Sequence, residues 1–282
     1  MPPLMTAAEL HACLDSPEWR VFDVRHDLAD AAAGEAAFLA GHIPGAQFLH
    51  MDRDLSAART GRNGRHPLPA REDFAALLGA RGLAATNRVA VYDASGGMMA
   101  ARLWWMLRWL GHEAVCVVDG GLPAWQAARL PLETGPARAR EATVFPLRAA
   151  RTETLDAQSV LAALERADRL IVDARSPDRF RGENETLDPV GGHIPGAKNR
   201  FFKDNLAPDG RFKPAATLRE EWTRLLGETP PAAVVAQCGS GITACHNLLA
   251  LEIAGLPGAA LYPGSWSEWC ADPARPVATG AL

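Results

Sequence analysis

The residues with the clearest chemical potential are Cys238-Gly239-Ser240-Gly241-Ile242-Thr243. They follow the apolar run AVVAQ and precede the helical pattern CHNLLALEIAG, so the cysteine is expected at a strand end, just ahead of a helix N-terminus. Orphan backbone N–H groups and the helix macrodipole favour negative charge there, which suits a thiolate nucleophile. Gly239 and Gly241 let successive amides curl inward as a nest around an anionic sulfur or a bound oxyanion, and Ser240 and Thr243 add hydroxyls. Together with Ile242 these residues read as an anion-cradle loop around a cysteine able to carry a group covalently. The plain alternative is a small buried thiol that only packs, but a glycine-flanked strand-to-helix turn favours the nucleophile.

Several chemistries share such a thiol. A cysteine phosphatase needs an arginine six residues after the cysteine to grip phosphate; here that position is Ala244, and the loop is one residue short of a phosphate cradle. An acyl-transfer hydrolase needs a base within hydrogen-bond reach, which spacing alone does not identify. No Cys or His pair with ligand spacing lies beside a second pair, so no zinc site is expected. Cys245, on the following helix, is expected to be carried away from the loop and to pack; Cys13 and Cys116 fall in apolar patterns and read as inert. The cysteines number 5, an odd and scattered set unlike a disulfide framework, so a reducing compartment, the cytoplasm, is expected.

The elements that must hold this loop come from a duplicated pattern. VFDVR at 21–25 returns as IVDAR at 171–175, and GHIPGA at 41–46 returns unchanged at 192–197; Asp93 aligns with Cys238, Gly111 with Gly255 and Trp125 with Trp269. Each copy alternates short β-branched runs (RVFDV, RVAVYD, AVCVVD; then RLIVDA, AVVAQ, AALY) with amphipathic helical patterns, and Thr6 with Glu9 reads as a capping box. The expectation is an α/β chain made of two copies of one domain, each a mainly parallel sheet with helices on both faces, with ligands outside the carboxyl ends of the strands. The boundaries are expected at 1–135 and 152–282, joined by a linker at 136–151 that lacks helical periodicity. In the first copy the loop reads Asp93-Ala94-Ser95-Gly96-Gly97; a carboxylate cannot carry sulfur and repels an anion, so that copy is expected to be catalytically silent.

Composition narrows the partners. A chain of 282 residues with 29 Lys and Arg against 33 Asp and Glu carries a net charge of −4, which offers no basic field to nucleic acid or anionic lipid. No apolar run approaches the ~18–20 residues that span a bilayer, and no basic residue precedes Arg20, so neither a membrane span nor an export signal is expected. Features shared by both copies, Asp23 with Arg25, Asp173 with Arg175, His42 and His193, read as structural, because shared residues do not explain chemistry present in one copy only. Trp104, Trp105 and Trp109 read as packing.

With the duplicated HIPGA turn, the DGG and PGS segments ahead of Trp125 and Trp269, and a Cys loop in the second copy only, the chain resembles the two-domain rhodanese-like sulfurtransferases over nearly its whole length. The CGSG[IV]T loop is similar to that of the 3-mercaptopyruvate enzymes, whereas the thiosulfate enzymes usually carry a basic CRKG-type loop. The resemblance implies that Cys238 takes sulfur from a small-molecule donor as a persulfide, releases pyruvate, and passes the sulfur to cyanide or to a thiol such as thioredoxin or glutathione. Sulfur itself is the carried group, so the resemblance implies no organic cofactor and no metal. It further implies that Ser240 works with a His and an Asp from the first domain, matched here by His66 in RHPLP and Asp52 in FLHMD, and that Arg179 in DRFRG binds the substrate carboxylate. A second family arginine, usual in an EPR segment before the HIPG turn, is missing from ENETLDPVGGHIPGA; Arg200 is the substitute expected from the other side of the turn. That departure keeps thiosulfate, or both donors, as an alternative. A non-catalytic rhodanese-fold binding or regulatory module is the alternative of another class, opposed by the retention of Cys238, both glycines and Ser240.

Overall fold

The computed structural model describes residues 1–280, in two compact units. The N-terminal unit comprises Met1–Ala57, Leu68–Arg151 and Pro208–Phe212; the C-terminal unit comprises Ala58–Pro67, Thr152–Ala207 and the chain from Lys213 onward. The segment 58–67 thus packs with the C-terminal unit although it lies within the first copy in sequence. Residues 136–150 form no helix or strand and run along the N-terminal unit, where the Thr143 amide donates to Gly79 O at 2.8 Å and the Arg148 amide to Leu110 O at 3.1 Å.

The N-terminal unit runs β1 (Leu4–Met5), α1 (Ala7–Cys13), β2 (Trp19–Asp23), α2 (Ala33–Ala40), β3 (Gln47–Phe48), α3 (Arg71–Ala80), β4 (Arg88–Tyr92), α4 (Ala100–Trp109), β5 (Val115–Val118) and α5 (Gly121–Ala127). Its sheet has the order β1-β5-β4-β2-β3 and every pairing is parallel. Continuous runs such as VCVV and VAVY are buried along their length, as strands covered on both faces must be. Thr6 caps α1 with both arms of the capping box in place.

The C-terminal unit repeats the plan with α6 (Ala157–Arg166), β6 (Leu170–Asp173), α7 (Pro177–Arg181), β7 (Lys198–Asn199), α8 (Ala215–Leu226), β8 (Val234–Gln237), α9 (Thr243–Ile253), β9 (Ala260–Leu261) and α10 (Ser265–Trp269). Its sheet order is β7-β6-β8-β9, again all parallel, and the place of β1 is taken by one parallel bridge between Thr154 and Leu261. Trp266, Trp269, Tyr262, Ile171 and Val235 fill one face of this sheet. The two-residue strands β1, β3, β7 and β9 leave little periodicity to read, whereas the central β2, β4, β6 and β8 match the apolar runs of the sequence.

Both copies use the same buried ion pair at the strand end that precedes the HIPGA turn. Asp23 receives the Arg25 amide at 2.9 Å and its Nη2 at 2.7 Å, and Arg25 also donates to Gly41 O at 2.8 Å. Arg175 donates to Asp173 Oδ2 and to Gly192 O, each at 2.7 Å, and lies 4.6 Å above the Trp266 ring. Burial works against the charge on Arg175, but Asp173, then Glu185 and Asp188, outweigh it and hold the guanidinium above its ordinary pKa. His42 and His193 stack on Phe38 and Phe180, with centroids 3.8 Å apart, and set Nδ1 2.8 Å from the carbonyl of the same phenylalanine. These residues fasten each turn to its sheet. Asp23→Ala leaves Arg25 buried without its carboxylate and is expected to cost about 3–5 kcal/mol of unfolding free energy, read from denaturant unfolding; an unshifted midpoint would show that the pair adds nothing.

Candidate active site

Cys238 follows β8 directly, and its side chain is 2% exposed. The sulfur is not lined by apolar groups alone: Gly241 N donates to Sγ at 3.1 Å and Ser240 N at 3.4 Å. Gly241 has φ +80°, and a Cβ on it would run into Pro263 O, so the turn that aims these amides requires glycine. Amides turned inward leave carbonyls turned outward, and the start of α10 takes them: Trp266 N donates to Cys238 O at 2.9 Å and Ser267 N to Gly239 O at 3.0 Å. Buried Ser265 accepts from the Cys238 amide at 3.1 Å and donates to Tyr262 O at 2.9 Å. Ile242 is buried at the N-cap of α9, and Thr243 begins that helix, ahead of the CHNLLALEIAG pattern.

The other cysteines differ. Burial pushes the Cys116 thiol up to about 12 and the Cys270 thiol up to about 11, and raises Cys13 less. Cys245 stands closer to the loop than expected. Residues 239–242 are loop rather than helix, so Cys245 sits in the first turn of α9, where its Sγ donates to Gly241 O at 3.3 Å.

Ser240 and His66 come together, with His66 Nδ1 2.8 Å from Ser240 Oγ and both residues buried. His66 arrives on the segment 58–67, which α10 also fastens: Arg65 N donates to Ser267 Oγ at 3.0 Å, and a Cβ on Gly64, at φ +81°, would sit 2.7 Å from Gly264 O. Asp52 lies beyond β3 in the N-terminal unit, half-buried, its carboxylate 3.8 Å from His26 Nε2. His26, His50 and Asp52 present ligand-type atoms within 4.8 Å of one another. Both ring nitrogens of His50 are already engaged, however: Nδ1 faces the Asp52 amide at 3.1 Å and Nε2 faces Ala31 O at 3.0 Å.

Arg179, on α7, is brought to the loop. A Cβ on Gly239 would lie 3.6 Å from each of its terminal nitrogens, and Glu185 holds the guanidinium from the other side at 2.8–3.2 Å. Arg200 is directed elsewhere: it donates to Glu221 at 2.6 Å, to Asn205 Oδ1 at 3.2 Å and to Asp204 O at 3.1 Å, and lies over Trp222. Its place beside the HIPGA turn suggested the loop, but the acid on α8 holds it. The group that sequence reading missed is Arg65, whose Nη2 stands 2.7 Å from the position of a Cβ on Gly239 and whose Nη1 contacts Asp188. Its only signal was adjacency to His66.

In the N-terminal unit the corresponding turn encloses its own anion. Asp93, fully buried, accepts from the amides of Ser95, Gly97, Met99 and Ala100 at 2.7–2.9 Å, and Leu122 N closes on Asp93 O at 2.8 Å as Trp266 N does on Cys238 O.

Known proteins are similar to this chain. The rhodanese-like domain family matches residues 6–128 and again 156–272. A probable 3-mercaptopyruvate sulfurtransferase of Pseudomonas aeruginosa is 47% identical over 98% of this chain and 98% of its own length. The human 3-mercaptopyruvate sulfurtransferase is 39% identical over 81% of this chain and 76% of its own. The solved structure of the Leishmania major 3-mercaptopyruvate sulfurtransferase superposes with a TM-score of 0.84 at 32% identity, covering 94% of this chain and 73% of that one. Two domain matches with one thiol-bearing loop between strand and helix make this chain a tandem member of the rhodanese-like family and a sulfurtransferase.

Proposed function

We propose that the chain takes sulfur from 3-mercaptopyruvate through a Cys238 persulfide. The Cys238 thiolate attacks the donor sulfur, the carbon–sulfur bond breaks, and its electron pair leaves on the pyruvate enolate, whose methylene carbon must then gain a proton. The observation that carries this reading is the 2.8 Å contact between Ser240 and His66, two residues along from the nucleophile. Ser240 passes its hydroxyl proton to the enolate and recovers one from the His66 imidazolium, while the loop amides stabilise the charge on sulfur. Sulfite leaving thiosulfate is a weak base and needs no such relay. Asp52 enters as the acid partner of this relay through the family resemblance alone, and Arg179 holds the donor carboxylate. In the second half-reaction an acceptor thiolate, from thioredoxin, glutathione or another thiol of a reducing cytoplasm, attacks the outer sulfur and Cys238 leaves as the thiolate; cyanide serves equally as a nucleophile.

One observation favours thiosulfate as a second donor. The loop carries no cation of its own, yet Arg65 and Arg179 both stand against Gly239. A dianion gains from such charges, although Glu185 and Asp188 balance them.

Intact mass after incubation with 3-mercaptopyruvate is expected to rise by one sulfur atom in the wild type and not in Cys238→Ser; no adduct from either donor would leave a binding module. Ser240→Ala is expected to lower kcat with mercaptopyruvate by about 100-fold or more and with thiosulfate by less than about tenfold. Equal losses on the two donors would remove the proton relay.

A further inference from the structure

We propose that Arg65 is the second guanidinium of the donor site and a determinant of specificity for a carboxylate-bearing thiol. The inference rests on the reading of Cys238 as a nucleophile toward such a donor, and deepens it by assigning the group that meets the carboxylate beside Arg179.

Gly239 is the point of convergence. A side chain there would meet Arg65 Nη2 at 2.7 Å and both terminal nitrogens of Arg179 at 3.6 Å, so two guanidiniums crowd the backbone one residue from the reactive sulfur. Their other sides are held from below. Asp188 contacts Arg65 Nη1 through Oδ1 and accepts from Arg179 Nη2 through Oδ2 at 3.3 Å, and Glu185 takes Arg179 through both carboxylate oxygens. The acids are sealed, with side chains 3% and 4% exposed, while those of Arg65 and Arg179 are 24% and 19% exposed. The cluster is therefore layered, with carboxylates as its floor and guanidiniums as its accessible lip.

Such layering orders the arginines before any ligand arrives and leaves N–H groups for one. Arg65 Nη1 and its backbone amide are engaged, by Asp188 and Ser267, but among the described residues its Nε and Nη2 have no hydrogen-bond partner, nor has Arg179 Nη1. Guanidinium edges with N–H groups to spare suit a planar carboxylate, which takes parallel N–H bonds from them. The stretch that lacks the arginine usual in the family carries Leu187 and Asp188 instead, and Asp188 is the residue that holds Arg65. The positive charge is thus supplied from the segment 58–67 and the negative charge from the segment before the HIPGA turn. Because Arg65 adjoins His66, one short segment brings both the carboxylate grip and the proton relay to the loop.

The test compares two donors that differ only at the proposed contact: 3-mercaptopyruvate, and 1-mercapto-2-propanone, which keeps the thiol and ketone and lacks the carboxylate. In the wild type, persulfide formation on Cys238 by intact mass first establishes the nucleophile; its absence would defeat the underlying reading and not the assignment of Arg65 as such. With the persulfide present, Arg65→Gln is expected to raise KM for mercaptopyruvate about 10- to 100-fold with kcat little changed, so that the KM ratio of neutral to charged donor falls by the same factor. Arg65→Lys keeps the charge but loses the fork, and is expected to show a smaller fall in that ratio; it also serves should the glutamine variant fail to fold. A ratio unchanged in both variants, with the two donors losing activity in parallel, would show that Arg65 only supports the segment carrying His66, and would overturn the proposal.

Discussion

The site depends on one constraint, that a peptide cannot turn its amides inward unless its carbonyls find partners outward. Around Cys238 the partners are supplied by a single short element. The start of α10 receives Cys238 O and Gly239 O on the amides of Trp266 and Ser267, and Ser265 accepts the Cys238 amide. With those groups satisfied, Ser240 N and Gly241 N are left aimed at the sulfur. The same element receives Arg65 through Ser267 Oγ and leaves room for Gly64, so the segment bearing His66 is seated by the residues that shape the loop. The PGS segment therefore links the Cys238 loop, the Ser240–His66 contact and Arg65 mechanically.

The duplicated unit gives an internal control for this reasoning. There the turn again closes on the next helix, through Leu122 N and Asp93 O, and again leaves amides pointing inward, but a fixed carboxylate absorbs four of them. Those four amides are engaged by Asp93 rather than open to a ligand. The difference between the copies thus lies in which side chain the inward amides meet, a carboxyl at Asp93 or a thiol at Cys238. Both strand-end ion pairs and both histidine stacks persist unchanged, which fits their work in holding the HIPGA turn in place rather than in chemistry.

Much of this was legible in the sequence, for identifiable reasons. The central strands β2, β4, β6 and β8 are continuous β-branched runs, and the duplicated HIPGA turn fixes the repeat whatever the local propensities. Cys238 with its two glycines sits in contiguous sequence, so its loop could be read directly. The contacts of Ser240 with His66, and of Gly239 with Arg65, span well over a hundred residues, and no periodicity encodes them. His66 could be nominated only through resemblance, and Arg65 only through its adjacency to His66. The packing of 58–67 with the C-terminal unit follows from the same kind of long-range contact. Arg200 failed for the complementary reason: its neighbourhood in sequence pointed to the turn, while Glu221 on α8, distant in sequence, determined where the charge went. Cys245 stays beside the loop because α9 begins only at Thr243, which leaves it in the first turn.

The layered charges beside Gly239 explain how such a site can bind an anion without retaining it. Were a donor carboxylate to dock there, two unbalanced guanidiniums would hold the carboxylate of the product as well. Asp188 and Glu185 lower the net field while keeping the forks in position, so the grip comes from directed hydrogen bonds more than from accumulated charge. Their burial matters as much as their sign, because acids sealed at 3% and 4% exposure cannot swing out to compete with the ligand.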